Sequence, residues 1–140
     1  MLRLKHIIIV VMVTTTLIVA LDINLWMLGP TGAGKSATAN NIGRAIGNRA
    51  DFNEFGEDGG AASYTRAPQT VRFEWAGKFI AVTDTPGLLD AAGVAQDEKN
   101  IRQIVDYARN QNEVHGFILV INEQNPRLEG PVQDAIKVLV

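Results

Sequence analysis

Gly29-Pro30-Thr31-Gly32-Ala33-Gly34-Lys35-Ser36 is the stretch from which the rest of this 140-residue chain is best read. It has the spacing G-x-x-x-x-G-K-[ST] without a gap. An apolar run, Ile23 to Leu28, precedes it. Lys35 to Asn48 follows, with Ala39, Ile42 and Ile46 at helical spacing. A strand, a glycine loop and a helix in that order form a site for clustered phosphates. Glycines let successive backbone N–H groups turn inward, and the helix adds the positive end of its dipole. On this reading the backbone from Gly29 to Ala37 wraps the phosphates. Lys35 supplies a mobile cation, and Ser36 offers a hydroxyl to Mg²⁺.

Moving outward, Val71-Arg-Phe-Glu-Trp75 alternates as a half-buried strand does, and Ala76-Gly77 can turn it into Lys78 to Thr83 as a hairpin. Gln96 to Asn110 places Ile101, Ile104, Val105 and Ala108 on one helical face. Gly116 to Ile121 is a continuous apolar run, as expected of a parallel strand covered on both sides. Pro131 suits the first turn of a last helix, with Val132, Ala135, Ile136 and Leu139 on its buried stripe. Gly56 to Ser63 reads as a mobile loop. The order is α/β, with a mostly parallel sheet and helices on both faces. Asp84-Thr-Pro-Gly87 ends the second hairpin strand, where ligands gather in such sheets. Asp84 is placed to hold Mg²⁺, and the Gly87 N–H to meet the terminal phosphate.

The N-terminus differs. Arg3, Lys5 and His6 precede an apolar-plus-threonine run from Ile7 to Leu21. As a helix it would span about 22 Å, short of a bilayer core of roughly 30 Å. Residues 1–21 thus read as a signal or anchor segment, a buried β-branched strand, or a start placed too far upstream. Ile18 and Ala20 make a poor cleavage site. Thirteen basic and fifteen acidic residues give a net charge of −2, which argues against a nucleic-acid partner. The absence of cysteine excludes disulfide scaffolds, cysteine zinc sites and thiol nucleophiles. His6 and His115 are too isolated to suggest a metal site, Glu57 and Asp58 read as a solvated loop face, and no prenylation motif is present.

Gly29 to Asn41, containing GKSATANNI, together with DTPGLLD over Asp84 to Asp90, resembles the immunity-associated GIMAP/AIG-type GTPases, relatives of septins and the chloroplast Toc receptors. Ser63-Tyr-Thr-Arg-Ala-Pro-Gln69, Glu74-Trp-x-Gly77 and His115 with the strand after it also fit. The similarity covers roughly residues 23 to 140. It implies a three-layer Ras-like P-loop NTPase fold with one antiparallel strand, occupying residues 22–140 and stopping short of the guanine-specificity motif. It further implies GTP/GDP and Mg²⁺ as ligands, and hydrolysis with water. A homodimer or oligomer through the nucleotide face is implied too. The N-terminal apolar segment makes a membrane a second candidate partner, with the chain on its cytoplasmic face. Thr65 aligns with the switch threonine that closes over Mg²⁺ and the terminal phosphate, with Ser63 and Thr70 as weaker substitutes. Arg127 matches an arginine that reaches the facing subunit's nucleotide; the alternative is a surface arginine paired with Glu123 or Glu129.

Two departures stand out. Leu88 occupies the place where Ras-like enzymes carry a water-orienting glutamine, so that route to hydrolysis is closed. No N/T-K-x-D box occurs, and Asn122 to Asn125 lacks its lysine and aspartate. A non-hydrolysing GTP-binding scaffold and a P-loop ATPase therefore stand as alternatives. The segments from Asp51 to Gln69 and from Thr85 to Gln96 are expected to order with GTP and relax with GDP. The sheet is expected to end at Ile121 with an open edge, leaving the chain poorly soluble unless extended or paired.

Overall fold

The computed structural model describes residues 6–12, 22–56, 67–88, 94–111, 114–122 and 130–139. In chain order the elements are β1 (His6–Met12), β2 (Ile23–Leu28), α1 (Lys35–Ile46), β3 (Gln69–Trp75), β4 (Lys78–Asp84), α2 (Val94–Arg109), β5 (Gly116–Asn122) and α3 (Gly130–Leu139). The strands form one sheet in the order β1-β5-β2-β4-β3. β2 runs parallel to β4 on one side and to β5 on the other. The chain leaves β2 toward β4 first and crosses to β5 afterwards, so the direction of winding reverses at β2. The crevice at its carboxyl end is where such sheets bind ligands.

Alternation along the strands explains the two covered faces. Met27, Ile80, Val82, Ile118 and Val120 point to the α1 side and join Ala39, with Ile42 and Ile46 packed against them. Trp26, Leu28, Phe117, Leu119 and Ile121 point to the other side, where Ile104 is buried and Ile101, Tyr107 and Ile136 close the cluster. Trp26 is fully buried, its ring centroid 5.6 Å from that of Tyr107. Burying a side chain of that size contributes on the order of 2–3 kcal/mol.

The Ala76-Gly77 turn has φ of 50° and 74°, both left-handed, as a tight two-residue hairpin turn requires. Its strands pair antiparallel from Trp75↔Lys78 to Gln69↔Asp84. This register sets Asp84 at the carboxyl end of β4, beside the loop that leaves β2.

The structure corrects two expectations. The outer edge of β5 is not open. β1 pairs along it antiparallel, from His6↔Asn122 to Met12↔Gly116, making a fifth strand and a second antiparallel pair. A β-branched run favours the extended backbone, and its N–H and C=O groups satisfy those of an otherwise exposed edge. Of the readings open for residues 1–21, the strand is the one seen over residues 6–12; residues 13–21 lie outside the described residues. Among the described residues no helix is long and apolar enough to cross a membrane.

The second correction concerns Asp51 to Gly56. Phe52 and Phe55 are buried in the α1-side core, with the Phe52 centroid 4.9 Å from that of Phe73. The start of the segment expected to order with nucleotide is thus already fixed by packing. The Gly56 to Ser63 loop beyond it lies, from residue 57, outside the described residues.

Candidate functional site

The phosphate loop begins where β2 ends. Gly29 has φ 152°, and a Cβ there would strike the carbonyl oxygen of Val120, so only glycine lets the loop leave the sheet this close to β5. Gly34, with φ 95°, makes the last corner, and α1 starts at Lys35 without a side-chain cap on its N–H groups. Those first-turn donors, from Lys35 through Ala37, carry the positive end of the helix dipole. Gly32 is exposed, while Ala33 is buried in the α1-side core and anchors the loop from below.

Lys35 folds back over the loop. Its Nζ donates to the carbonyl of Gly29 at 3.1 Å and to that of Pro30 at 2.9 Å. The residue is 6% exposed. Burial pushes its pKa down to about 8, and the Asp84 carboxylate pulls it partly back. An ammonium held this way is poised to exchange two neutral carbonyls for phosphate oxygens.

Ser36 Oγ donates to Asp84 Oδ2 at 2.6 Å. This joins the start of α1 to the end of β4 with two hard oxygen donors. The pair fits Mg²⁺, which keeps several waters and takes its other ligands from phosphate. Among the described residues no cluster of three or more His, Cys, Asp or Glu side chains could hold a metal.

Past Asp84 the backbone is fastened on three sides. Thr85 Oγ1 donates to the Met27 carbonyl at 2.5 Å. The Leu88 N–H donates to Gly29 O at 3.1 Å, and the Thr31 N–H donates to Leu88 O at 2.9 Å. Asn100 Nδ2 of α2 donates to the Gly87 carbonyl at 2.6 Å. Leu88 itself is fully buried in the α2-side cluster. Gly87 packs so tightly on Thr31 that a Cβ would collide with its side chain.

The structure thus brings together Gly29 to Ala37, Asp84 and Gly87. Thr65 and Arg127 lie outside the described residues, as do Ser63, Glu123 and Glu129. Thr70 belongs elsewhere: its hydroxyl bonds those of Thr83 and Tyr107 at 2.7 and 2.8 Å, inside the α2 face. His115 is a fold residue, accepting the Asn24 N–H on Nδ1 at 3.0 Å.

Two residues of the site escape the motifs. Asn40 is fully buried and holds both the N–H and the C=O of Phe55, at 3.1 and 2.7 Å. Asn100 fixes the peptide after Gly87. A faint signal exists for Asn40, because asparagine is a poor helix former and here sits mid-helix. None exists for Asn100, whose role depends on how α2 docks.

A model of the AIG1 family matches residues 23–138. The chain belongs to the AIG1 family. That family is one of GTP-binding GTPases. Among solved structures, this AIG1-family chain is similar to Toc33 from Arabidopsis thaliana, in a dimerization-deficient arginine-to-alanine mutant. The TM-score is 0.54 at 23% identity, covering 71% of this chain and 36% of that one. That likeness is one of fold, and this chain spans about a third of the other's length.

Proposed function

We propose that this AIG1-family domain binds GTP with Mg²⁺, hydrolyses it slowly to GDP and phosphate, and acts as a switch that self-associates through its nucleotide face. The observation that carries the reading is the closed set of Lys35, Ser36 and Asp84 around a loop whose helix amides have no side-chain cap. Bound Mg²⁺ would neutralise charge on the β- and γ-phosphates.

The residues divide the work. The amides from Gly32 to Ala37 would hold the phosphates, and Lys35 would exchange the carbonyls of Gly29 and Pro30 for phosphate oxygens. Ser36 and Asp84 would separate to admit the metal, Thr65 would close on it, and the Gly87 N–H would meet the terminal phosphate. Leu88 offers no hydrogen bond to water. Charge stabilisation from Arg127 of a facing copy is the remaining route, an effect worth roughly 10³–10⁵ in rate where such arginines act.

A second reading draws on Leu88 directly. Its side chain is locked in the core and its backbone is tied to the phosphate loop. A site built this way suits a GTP-binding scaffold that does not turn over. Phosphate release at rising protein concentration separates the two readings. Specific activity that climbs with concentration supports hydrolysis assisted by a second copy. Bound GTP with flat, near-zero release supports the scaffold. Tighter binding of ATP than of GTP in competition would instead support an ATPase.

A further inference from the structure

The Thr31 side chain has a place in the site that the loop motif does not give it. Its Oγ1 is buried and has no hydrogen-bond partner among the described residues. A buried hydroxyl without a partner destabilises the fold, and valine would fill the same volume without that penalty. The hydroxyl also has a defined neighbour, since it lies where a Cβ of Gly87 would be. The backbone holds it there: the Thr31 N–H is bonded to Leu88 O, the Leu88 N–H to Gly29 O, and the Gly87 carbonyl to Asn100.

This position is at one end of the cradle. On the proposed reading the amides of α1 hold the phosphates and Lys35 reaches the β- and γ-phosphates. On the same reading the Gly87 N–H meets the terminal phosphate, and the Thr31 hydroxyl lies against Gly87.

We propose that the Thr31 hydroxyl donates a hydrogen bond to the terminal phosphate of a bound nucleoside triphosphate, and so makes the loop discriminate triphosphate from diphosphate. The inference rests on the GTP-binding reading above and deepens it. The hydroxyl gains the acceptor it lacks, and a charged acceptor makes the stronger kind of hydrogen bond.

Equilibrium binding of Mg²⁺·GDP and of a non-hydrolysable Mg²⁺·GTP analogue to the wild type, Thr31→Val and Thr31→Ser tests it. Thr31→Val keeps the shape and removes the donor. It should weaken the analogue about tenfold or more, the scale of one hydrogen bond to a charged group. GDP affinity should stay within about twofold, and Thr31→Ser should restore the wild-type preference. Equal losses for both nucleotides, or no loss for either, would overturn the proposal while leaving the GTP-binding reading in place. A wild-type protein that binds neither nucleotide would overturn that reading instead, and the role of Thr31 with it.

Discussion

Lys35 shows how a residue can be set against the stability of its own fold. Buried, it has a pKa near 8, against 10.5 for a free lysine. Between those values the unfolded chain holds a proton that the empty folded protein has released. Stability should therefore rise with pH from about 8 to 10.5, by up to about 3 kcal/mol. Urea midpoints at pH 7.5 and 10 should show that rise in the wild type and lose most of it in Lys35→Met. Phosphate binding works the other way, because it favours the ammonium. Nucleotide affinity should fall as pH climbs above about 8, with proton uptake on binding measurable in buffers of different ionisation enthalpy. Leu88 is the opposite kind of residue. Its sequence position speaks of water, yet it is buried among Trp26, Leu28 and Ile104. Leu88→Gln would place an amide in that cluster, so the expected outcome is a loss of about 2–4 kcal/mol in stability and no gain in hydrolysis. Denaturation and phosphate release read the two effects separately.

At the scale of elements, the α1–β3 side is held by more than the helix itself. Asn40 clamps Phe55 by its backbone, and Gly43 leaves room for the Phe52 ring, which a Cβ would meet at 2.5 Å. Asn40→Ala would strand two buried backbone groups and should cost about 2–4 kcal/mol by urea denaturation. Ala76, at φ 50°, sits where an L residue is strained. Ala76→Gly should stabilise the hairpin by up to about 1 kcal/mol, read as a higher thermal midpoint. Most elements were legible in the sequence because each carries its own period. Leu25, Met27 and Ile80, Val82 alternate, and Ile101, Ile104 and Ala108 recur at helical spacing. The motif residues were legible too, since Gly29, Gly34, Lys35 and Ser36 act through their immediate neighbours. Phe52 and Phe55 were not. They sit beside charges and glycines in a segment without periodicity, and their burial depends on α1 and β3 closing over them.

At the scale of the whole molecule, the outermost strand beside β5 is the feature local pattern could not assign. Ile7 to Val11 is apolar without alternation, a signal shared by membrane segments and buried strands. Residues 6–12 pair with β5 at seven positions. Covering the β5 edge this way keeps its backbone from recruiting another chain. Removing residues 1–12 should uncover it, and light scattering without nucleotide should show concentration-dependent association of the shortened protein that the full chain lacks under the same conditions. The same sheet fixes the site: β2 lies between β4 and β5, and its carboxyl end carries the phosphate loop between Asp84 and Val120. The most direct test of that arrangement is the affinity of labelled GTP, with Mg²⁺, for the wild type and for Lys35→Ala at pH 7. The account predicts one nucleotide per chain for the wild type and a loss of about a hundredfold or more in the variant. Equal affinity in the two proteins would contradict it.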